Sequence, residues 1–352
     1  MNPSTNLYEA IIIGSGQAGL AAAYYLKEEG IDFLLLDSEQ RIGDSWRRRY
    51  DSLTLFTPKR YSQLPGLFLD GEAEQFPAKD EIADYLERYA EHFQFAVQLD
   101  TKVVSLSKPD KHFLIETNKG MLLAKQVIVA TGPFQLPNIP AYASQLDGSV
   151  LQLHTSQFHN SSDLQDGNVL IVGGGNSGAQ LAVELAKERQ VTLSVHRQPS
   201  FLPLHIWRKS IFWWLDKLGL LYAPTESLPA RLLQKRGDPI FGLELQDAIK
   251  QGQISLKPGT VGSLKREMVF ADQSRLEVSN VIWATGFRAD YSWIKLPLSI
   301  GDKGLPDHTR GATSIEGLYF VGLPWQSHRG SALLAGVGRD AQWISRILSS
   351  RR

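Results

Sequence analysis

The sequence has no cysteine. That excludes disulfides, thiolate zinc sites, thiol nucleophiles and any CxxC redox pair within this chain. It fits a reducing, cytoplasmic setting. Net charge is missing too: 37 basic residues balance 37 acidic ones, which argues against a general nucleic-acid or polybasic membrane binder. No uncharged apolar stretch reaches the ~18–20 residues of a membrane helix, so no integral membrane segment is expected. The start of the chain lacks a basic n-region, and its first apolar run reads as a strand, so no signal peptide is expected. Low-complexity tracts are absent, and the scattered histidines suggest no metal site.

What is present is one glycine pattern, used twice, in a chain of 352 residues, long enough for two or more domains. The stretch from Tyr8 to Asp37 reads as strand, glycine turn, helix, strand. Ala10–Ile13 is a short apolar run, as a buried parallel strand requires. Gly14, Gly16 and Gly19 follow at G-x-G-x-x-G spacing. Gly14 permits the sharp turn, Gly16 lets a pyrophosphate approach the backbone, and Gly19 lets the helix pack on the strand. The helix N-terminus offers free N–H groups and a positive dipole end to phosphate. Ile31–Leu36 reads as the second strand and ends in Asp37, an acid placed to accept hydrogen bonds from ribose hydroxyls. Next comes a loop with Gly43, Trp46 and Arg47–Arg49. It reads either as a cover over the rest of the bound cofactor or as a solvated basic turn. Lys79–Phe93 has helical apolar spacing. Phe95–Val104 and Lys111–Thr117 read as strands of a small meander. Val127–Gly132 reads as a buried strand ending in a turn of small residues, Thr131 and Gly132, where a ligand can approach backbone.

The pattern returns over Asn168–Arg197. Val169–Val172 reads as a strand, Gly173, Gly175 and Gly178 repeat the spacing, Gln180–Glu188 continues as helix, and Val191–Val195 is the next strand. One such unit suggests a dehydrogenase. Two suggest that one dinucleotide hands electrons to another, commonly a nicotinamide to a flavin. The units differ where the second strand ends. Asp37 favours a free ribose hydroxyl, whereas His196 and Arg197 favour a 2′-phosphate. FAD is therefore assigned to the first unit and NADPH to the second. Phe201–Leu245 carries Trp207, Trp213 and Trp214 beside Phe212, Leu215, Leu218, Leu220 and Leu221. A helix there would present a bulky apolar face. Such a face could line a substrate passage, form a dimer interface, lie on a membrane surface or pack between domains. Asn280–Phe287 marks the exit back to the first domain, Gly317–Gly322 is a last buried strand, and Gly330–Ala341 is a loop entering a helix rich in small residues. The N-terminus of that helix could face a flavin ring and stabilise negative charge on it.

These motifs, in this order, resemble the single-component, class B flavin-containing monooxygenases, and more narrowly the short bacterial cation-efflux-associated flavoproteins and the plant YUCCA enzymes. The resemblance rests on GSGQAG at 14–19, GDSWRRRYDSLTLFTPKRYSQLPG at 43–66, ATG at 130–132, HTSQF at 154–158, GGGNSG at 173–178, ATGF at 284–287 and GLPWQSHRGSALLAGVGRDA at 322–341. It implies an α/β fold of two Rossmann-like, GR2-type domains with the NAD(P)H domain inserted into the FAD domain. The layout expected is FAD domain over 1–160, NAD(P)H domain over 161–284 with the Trp-rich segment at 205–245, and return to the FAD domain over 285–352. It implies that NAD(P)H reduces FAD, that a flavin C4a-hydroperoxide forms with molecular oxygen, and that one oxygen atom passes to a small organic sulfur, nitrogen or ketone substrate. An NAD(P)H oxidase or flavin reductase releasing peroxide, and an accessory flavoprotein in metal homeostasis, are the alternatives on the same scaffold. The cofactor contacts implied in the first unit are Gly14, Gly16, Gln17, Ala18, Gly19, Asp37, Ser38, Gly43, Trp46, Thr131 and Gly132, joined late in the chain by Gly322, Ser331 and Ala332. In the second unit they are Gly173, Gly175, Asn176, Ser177, Gly178, His196 and Arg197, with Ala284, Thr285 and Gly286 from the return turn.

The sequence departs from the family pattern in three places. In the family fingerprint FxGxxxHxxx[YF], Leu146 replaces the Phe, and five residues rather than three separate Gly148 from His154. His154 and Phe158 keep the second half, which makes His154 a candidate catalytic residue. The Baeyer–Villiger branch ends this motif in Trp-Pro, where this chain has Phe158-His159. Phe56 stands where many members place an Asn near the flavin, so Phe56 is the second candidate and slower or leakier oxygenation is expected. His196 takes the place of the arginine that commonly grips the 2′-phosphate, so NADPH use with appreciable NADH use is expected. Replacing Arg197 by Ala should raise KM for NADPH much more than for NADH in steady-state kinetics. An equal effect on both would remove Arg197 from the phosphate site.

Overall fold

The computed structural model describes residues 7–301 and 304–351. The stretch from which the absence of a signal peptide was read includes residues 1–6, outside those described. Two parallel sheets organise the chain. In the first, Val97–Gln98, Phe33–Leu36, Leu7–Ile13 and Gly120–Val129 lie side by side in that order. Gly120–Val129 is 10 residues long and serves two partners on its far side. Its first half pairs antiparallel with Phe113–Thr117, and its second half pairs parallel with Leu318–Phe320. Val103–Ser107 completes the antiparallel arm.

Because both faces are covered, the central strands read as unbroken apolar runs rather than alternating ones. Ala10, Ile12 and Leu35 face the helices Gln17–Glu28, Lys79–His92 and Leu334–Ser350, while Ile11, Ile13 and Leu36 face Leu106, Phe113, Tyr291 and Ile294. Two boundaries differ from the sequence reading. The second strand begins at Phe33 rather than Ile31. The run Phe95–Val104 splits, because Asp100 adopts φ +51°, a left-handed turn that ends the edge strand before the meander begins.

The second sheet runs Ile254–Pro258, Val191–Val195, Val169–Val172, Asn280–Trp283, Leu151–His154, all parallel. Leu151–His154, within the span 1–160 expected for the first unit, lies at the edge of this second sheet. Leu151–His154 pairs with Asn280–Trp283, and Ala143, Leu146 and Val150 pack beneath Val172 and Trp283. A four-residue edge strand that includes Gln152 carries too little periodicity to be seen in sequence. The chain crosses between the units at Leu136–Pro137 and returns at Phe287–Arg288, and these two segments pair antiparallel.

The Trp-rich segment is two short helices, Ile211–Lys217 and Leu228–Arg236, rather than one. The side chains of Ser210 and Ser227 accept N–H bonds at their starts, which fixes where each begins. Ile211, Phe212, Leu215, Leu221 and Phe241 form a buried cluster with Tyr61 of the first unit, and Phe56 packs against it. Packing between the units therefore accounts for the inner side of this segment. Trp207, Leu218, Leu228 and Leu232 remain exposed. Truncating the buried Phe212 to Ala should cost about 3–5 kcal/mol in chemical denaturation, whereas Trp207→Ala, at a side chain 86% exposed, should stay within about 0.5 kcal/mol. Equal costs would contradict this packing.

Candidate cofactor and active site

The first glycine turn is set by close approach. A β-carbon on Gly19 would lie 1.8 Å from the Gly14 carbonyl oxygen, and Gly14 itself has φ +104° with the Ala130 carbonyl alongside. Nothing but glycine lets the helix start this close to the strand. At Gly16, by contrast, a β-carbon would meet nothing within 4 Å. Gly16 caps the helix Gln17–Glu28 with no side-chain hydrogen bond, so the first N–H groups face open space. That is the cradle a pyrophosphate needs.

Other elements converge on the same point. The Gln17 side chain donates to the Ala332 carbonyl (3.3 Å) and accepts from the Trp46 indole (3.3 Å). The Trp46 loop and the turn before the last helix are thus both fastened to the first residue of the opening helix. Gly322 faces Ala18, with room for no β-carbon between them. Ser331 is buried and its hydroxyl accepts the N–H groups of Ser327 and His328, shaping that turn. Asp37 accepts from the Ser15 N–H and hydroxyl, both at 2.6 Å, and from the Glu39 N–H at 2.9 Å. The acid therefore latches the glycine loop, while Ser38 beside it is exposed. Thr131 and the Gly132 carbonyl both accept from Gln135. Gly43 serves packing: its missing β-carbon lets it sit against the Ala83 backbone on the helix Lys79–His92.

The second turn repeats the geometry. A β-carbon on Gly178 would lie 2.0 Å from the Gly173 carbonyl, one on Gly173 would lie 2.3 Å from the Ala284 carbonyl, and Gly175 is open. Asn176 begins the helix Asn176–Leu185, and its side chain accepts from the Phe241 N–H (2.9 Å) and donates to the Pro239 carbonyl (3.2 Å). It is tied to the protein. Ser177 lies beside the Tyr50 hydroxyl. His196 and Arg197 stand exposed at the end of Val191–Val195. His196 lies against Gly259; Arg197 has no hydrogen-bond or ion-pair partner among the described residues.

Between the turns the two candidate catalytic residues part company. His154 is fully buried, with Nδ1 2.8 Å from the Ser156 hydroxyl and Nε2 2.9 Å from the Gly286 carbonyl. Burial holds its pKa below the ordinary histidine value, against the Gly286 bond. A neutral ring that accepts at Nδ1 and donates at Nε2 fastens Leu151–His154 to the return turn, and it has no free nitrogen for substrate. Phe56 is stacked on Phe241, centroids 4.5 Å apart, and on Phe212 at 6.0 Å. Thr285 donates to the Asn138 carbonyl and closes the same crossing.

One residue here was visible in sequence only as part of a basic run. The Arg49 guanidinium sits 5.1 Å from the Phe287 ring centroid and 5.7 Å from that of Phe134, just past the Gly286 and Gly132 turns. Among the described residues its single hydrogen bond runs from Nε to the Ser45 carbonyl. Partial burial lowers its pKa, and no carboxylate among the described residues offsets its charge. Next to it, Tyr50 donates to Gln180 (2.6 Å), and Gln180 donates to the Thr54 carbonyl, so the loop after Trp46 is strapped to the second dinucleotide helix. Gly16→Ala should leave the melting temperature of the apoprotein near wild type while lowering FAD retention on gel filtration. Gly19→Ala should lower the apoprotein melting temperature by several degrees, since overpacking costs about 1–3 kcal/mol. Identical effects of the two would contradict this separation of fold from binding.

Comparison with known proteins places this geometry. Residues 11–203 match the family model described as pyridine nucleotide-disulphide oxidoreductase. A CzcO-like oxidoreductase of Geobacillus kaustophilus is 52% identical, over 96% of this chain and 97% of that protein. A probable indole-3-pyruvate monooxygenase of Arabidopsis thaliana, YUCCA3, is 29% identical over 97% of this chain and 86% of that protein. The flavin-containing monooxygenase of Stenotrophomonas maltophilia superposes with a TM-score of 0.83 at 27% identity, covering 98% of this chain and 99% of that one. With two open glycine cradles, FAD and NADPH as its cofactors and no cysteine pair for disulphide chemistry, the chain belongs to the pyridine nucleotide-disulphide oxidoreductase family, among the CzcO-type class B flavin monooxygenases.

Proposed function

We propose that this monooxygenase works through a flavin C4a-hydroperoxide and oxygenates small organic sulfur, nitrogen or ketone compounds. The observation that carries the proposal is the pair of open glycine cradles whose neighbouring turns, at Gly132 and Gly286, lie beside the aromatic rings around one half-buried cation, Arg49, which has no carboxylate partner among the described residues. When bound, the flavin supplies the oxygen chemistry; the chain's part is binding, orientation and exclusion of water. In this reading Gly14–Gly19, Trp46, Asp37 and Ala332 hold FAD, and Gly173–Gly178 with Arg197 hold the nicotinamide dinucleotide. Arg49 is the counter-charge that the nicotinamide pyrophosphate meets, because Tyr50 ties its loop to the helix Asn176–Leu185. His154 positions the Gly286 turn rather than touching substrate, which revises the catalytic role expected from the fingerprint. Phe56, a hydrocarbon stacked among Phe212 and Phe241, offers no hydrogen bond to an oxygen intermediate, which fits leaky coupling. Exposed Arg197 with His196 in place of a second arginine fits NADPH use alongside NADH.

The test is anaerobic reduction of the holoprotein with NADPH followed by mixing with oxygenated buffer in a stopped-flow spectrophotometer. A transient absorbing between the reduced and oxidised flavin bands is the expected result. Direct return to oxidised flavin with stoichiometric peroxide would favour the oxidase alternative. Arg49→Gln should weaken NADP+ binding to the holoprotein at least tenfold by calorimetry, in line with the ~1.5–3 kcal/mol of a charged hydrogen bond, with Arg49→Lys intermediate. Wild-type affinity in Arg49→Gln would remove Arg49 from this role.

A further inference from the structure

Away from the glycine cradles lies a cavity of about 500 Å3, walled by both units. Tyr222, Thr225 and Glu226 come from the Trp-rich segment, and His308, Arg310, Trp325, His328 and Arg339 come from the FAD domain. The walls are joined by the Thr225 N–H donating to the Ser327 carbonyl at 3.0 Å and by a bridge between Pro224 and His328.

Two histidines and two arginines bring hydrogen-bond donors to the cavity. His328 is 4% exposed, and its Nδ1 accepts the Gly330 N–H at 3.0 Å. Its neutral tautomer therefore carries the proton on Nε2, which is buried and unpartnered. His308 is fixed in the same way: Nδ1 accepts the Gly311 N–H at 3.2 Å, leaving its Nε2–H as a donor. Burial lowers the pKa of both rings, which keeps them in this neutral form. The Arg339 guanidinium lies 3.7 Å from the Tyr222 ring centroid and has no hydrogen-bond acceptor among the described residues. Arg310 spends only Nε, on Asp340 at 3.4 Å. Against these donors the lining offers one carboxylate, Glu226. Asp340 is wholly buried behind the wall, where its Oδ1 takes Arg310 and the Ser327 hydroxyl while Oδ2 is unpartnered.

We propose that this cavity is a binding site for a small organic monocarboxylate. Unspent donors on Arg339, Arg310 and His308, with the buried His328 Nε2 behind the wall, call for an oxyanion. The aromatic walls of Tyr222 and Trp325 favour an apolar body behind it. Glu226 and Asp340 already balance the two arginines, so every negative charge on the ligand goes uncompensated, and a singly charged carboxylate is favoured over a doubly charged phosphate. Because both units contribute walls, an occupant also ties the Trp-rich segment to the FAD domain. The site stands independently of the oxygenation reading, since its test is equilibrium binding.

The probe is benzoate, titrated into the FAD-loaded protein by isothermal calorimetry, with benzamide and inorganic phosphate as comparisons. Benzoate should bind at one site per chain, with benzamide and phosphate each at least tenfold weaker. Arg339→Gln, at an exposed position, should weaken benzoate at least tenfold while the flavin spectrum and melting temperature stay unchanged. Glu226→Gln should strengthen it. No benzoate binding, benzamide binding equally well, or phosphate binding as tightly would each overturn the proposal. So would benzoate affinity indifferent to both substitutions, which would put the ligand elsewhere.

Discussion

No side chain can stand where each dinucleotide helix meets its strand. At Gly19 and again at Gly178 the carbonyl of the turn's first glycine occupies the space a β-carbon would need. That crowding brings the helix N-terminus directly above the end of the strand, with its N–H groups unspent. The open side at Gly16 and Gly175 is the other face of the same constraint. Crowding behind and space in front together make a phosphate cradle, and they do so twice. The rest of the first unit then gathers on the first of these cradles. Gln17 ties down Trp46 and Ala332, Asp37 latches Ser15, and Gly322 abuts Ala18.

Electron transfer between two dinucleotides requires that the units binding them be held in one fixed arrangement. Three devices do this. The crossing segments Leu136–Pro137 and Phe287–Arg288 pair with each other. His154 fastens the second sheet's edge to the Gly286 carbonyl. The loop after Trp46 runs over to the second unit, where Tyr50 joins that unit's buried core and bonds Gln180. Arg49 is carried into the gap by this loop. Its position between Phe134 and Phe287 gives it cation–π contacts, which offset part of the cost of half-burying a charge, but no anion among the described residues. The aromatic cluster of Phe56, Phe212 and Phe241 closes the seam from the other side.

The glycine turns, the apolar strands before them and the amphipathic helix Lys79–His92 were legible because each is a local pattern with a local cause. The meander was legible in outline. What failed to show in sequence had causes elsewhere in the chain. Leu151–His154 is a strand only because Asn280–Trp283 lies beside it. The Trp-rich segment reads as one apolar face, but serine caps divide it and Tyr61 of the other unit decides which side is buried. His154 looks catalytic in a motif, yet its ring nitrogens are taken up by Ser156 and Gly286, the latter 132 positions away.

By itself, then, the sequence determined that there are two dinucleotide units, that thiol chemistry is absent, and that the two strand ends differ in charge at Asp37 and at His196–Arg197. Those properties depend on spacing and residue type, which are written along the chain. Only the tertiary structure decided where one unit gives way to the other, which member of a run of three arginines enters the gap, and which histidines have a nitrogen to spare. Such properties depend on contacts between residues far apart in sequence, and the same Arg or His can be solvated, bonded or left unpaired according to what the fold brings next to it.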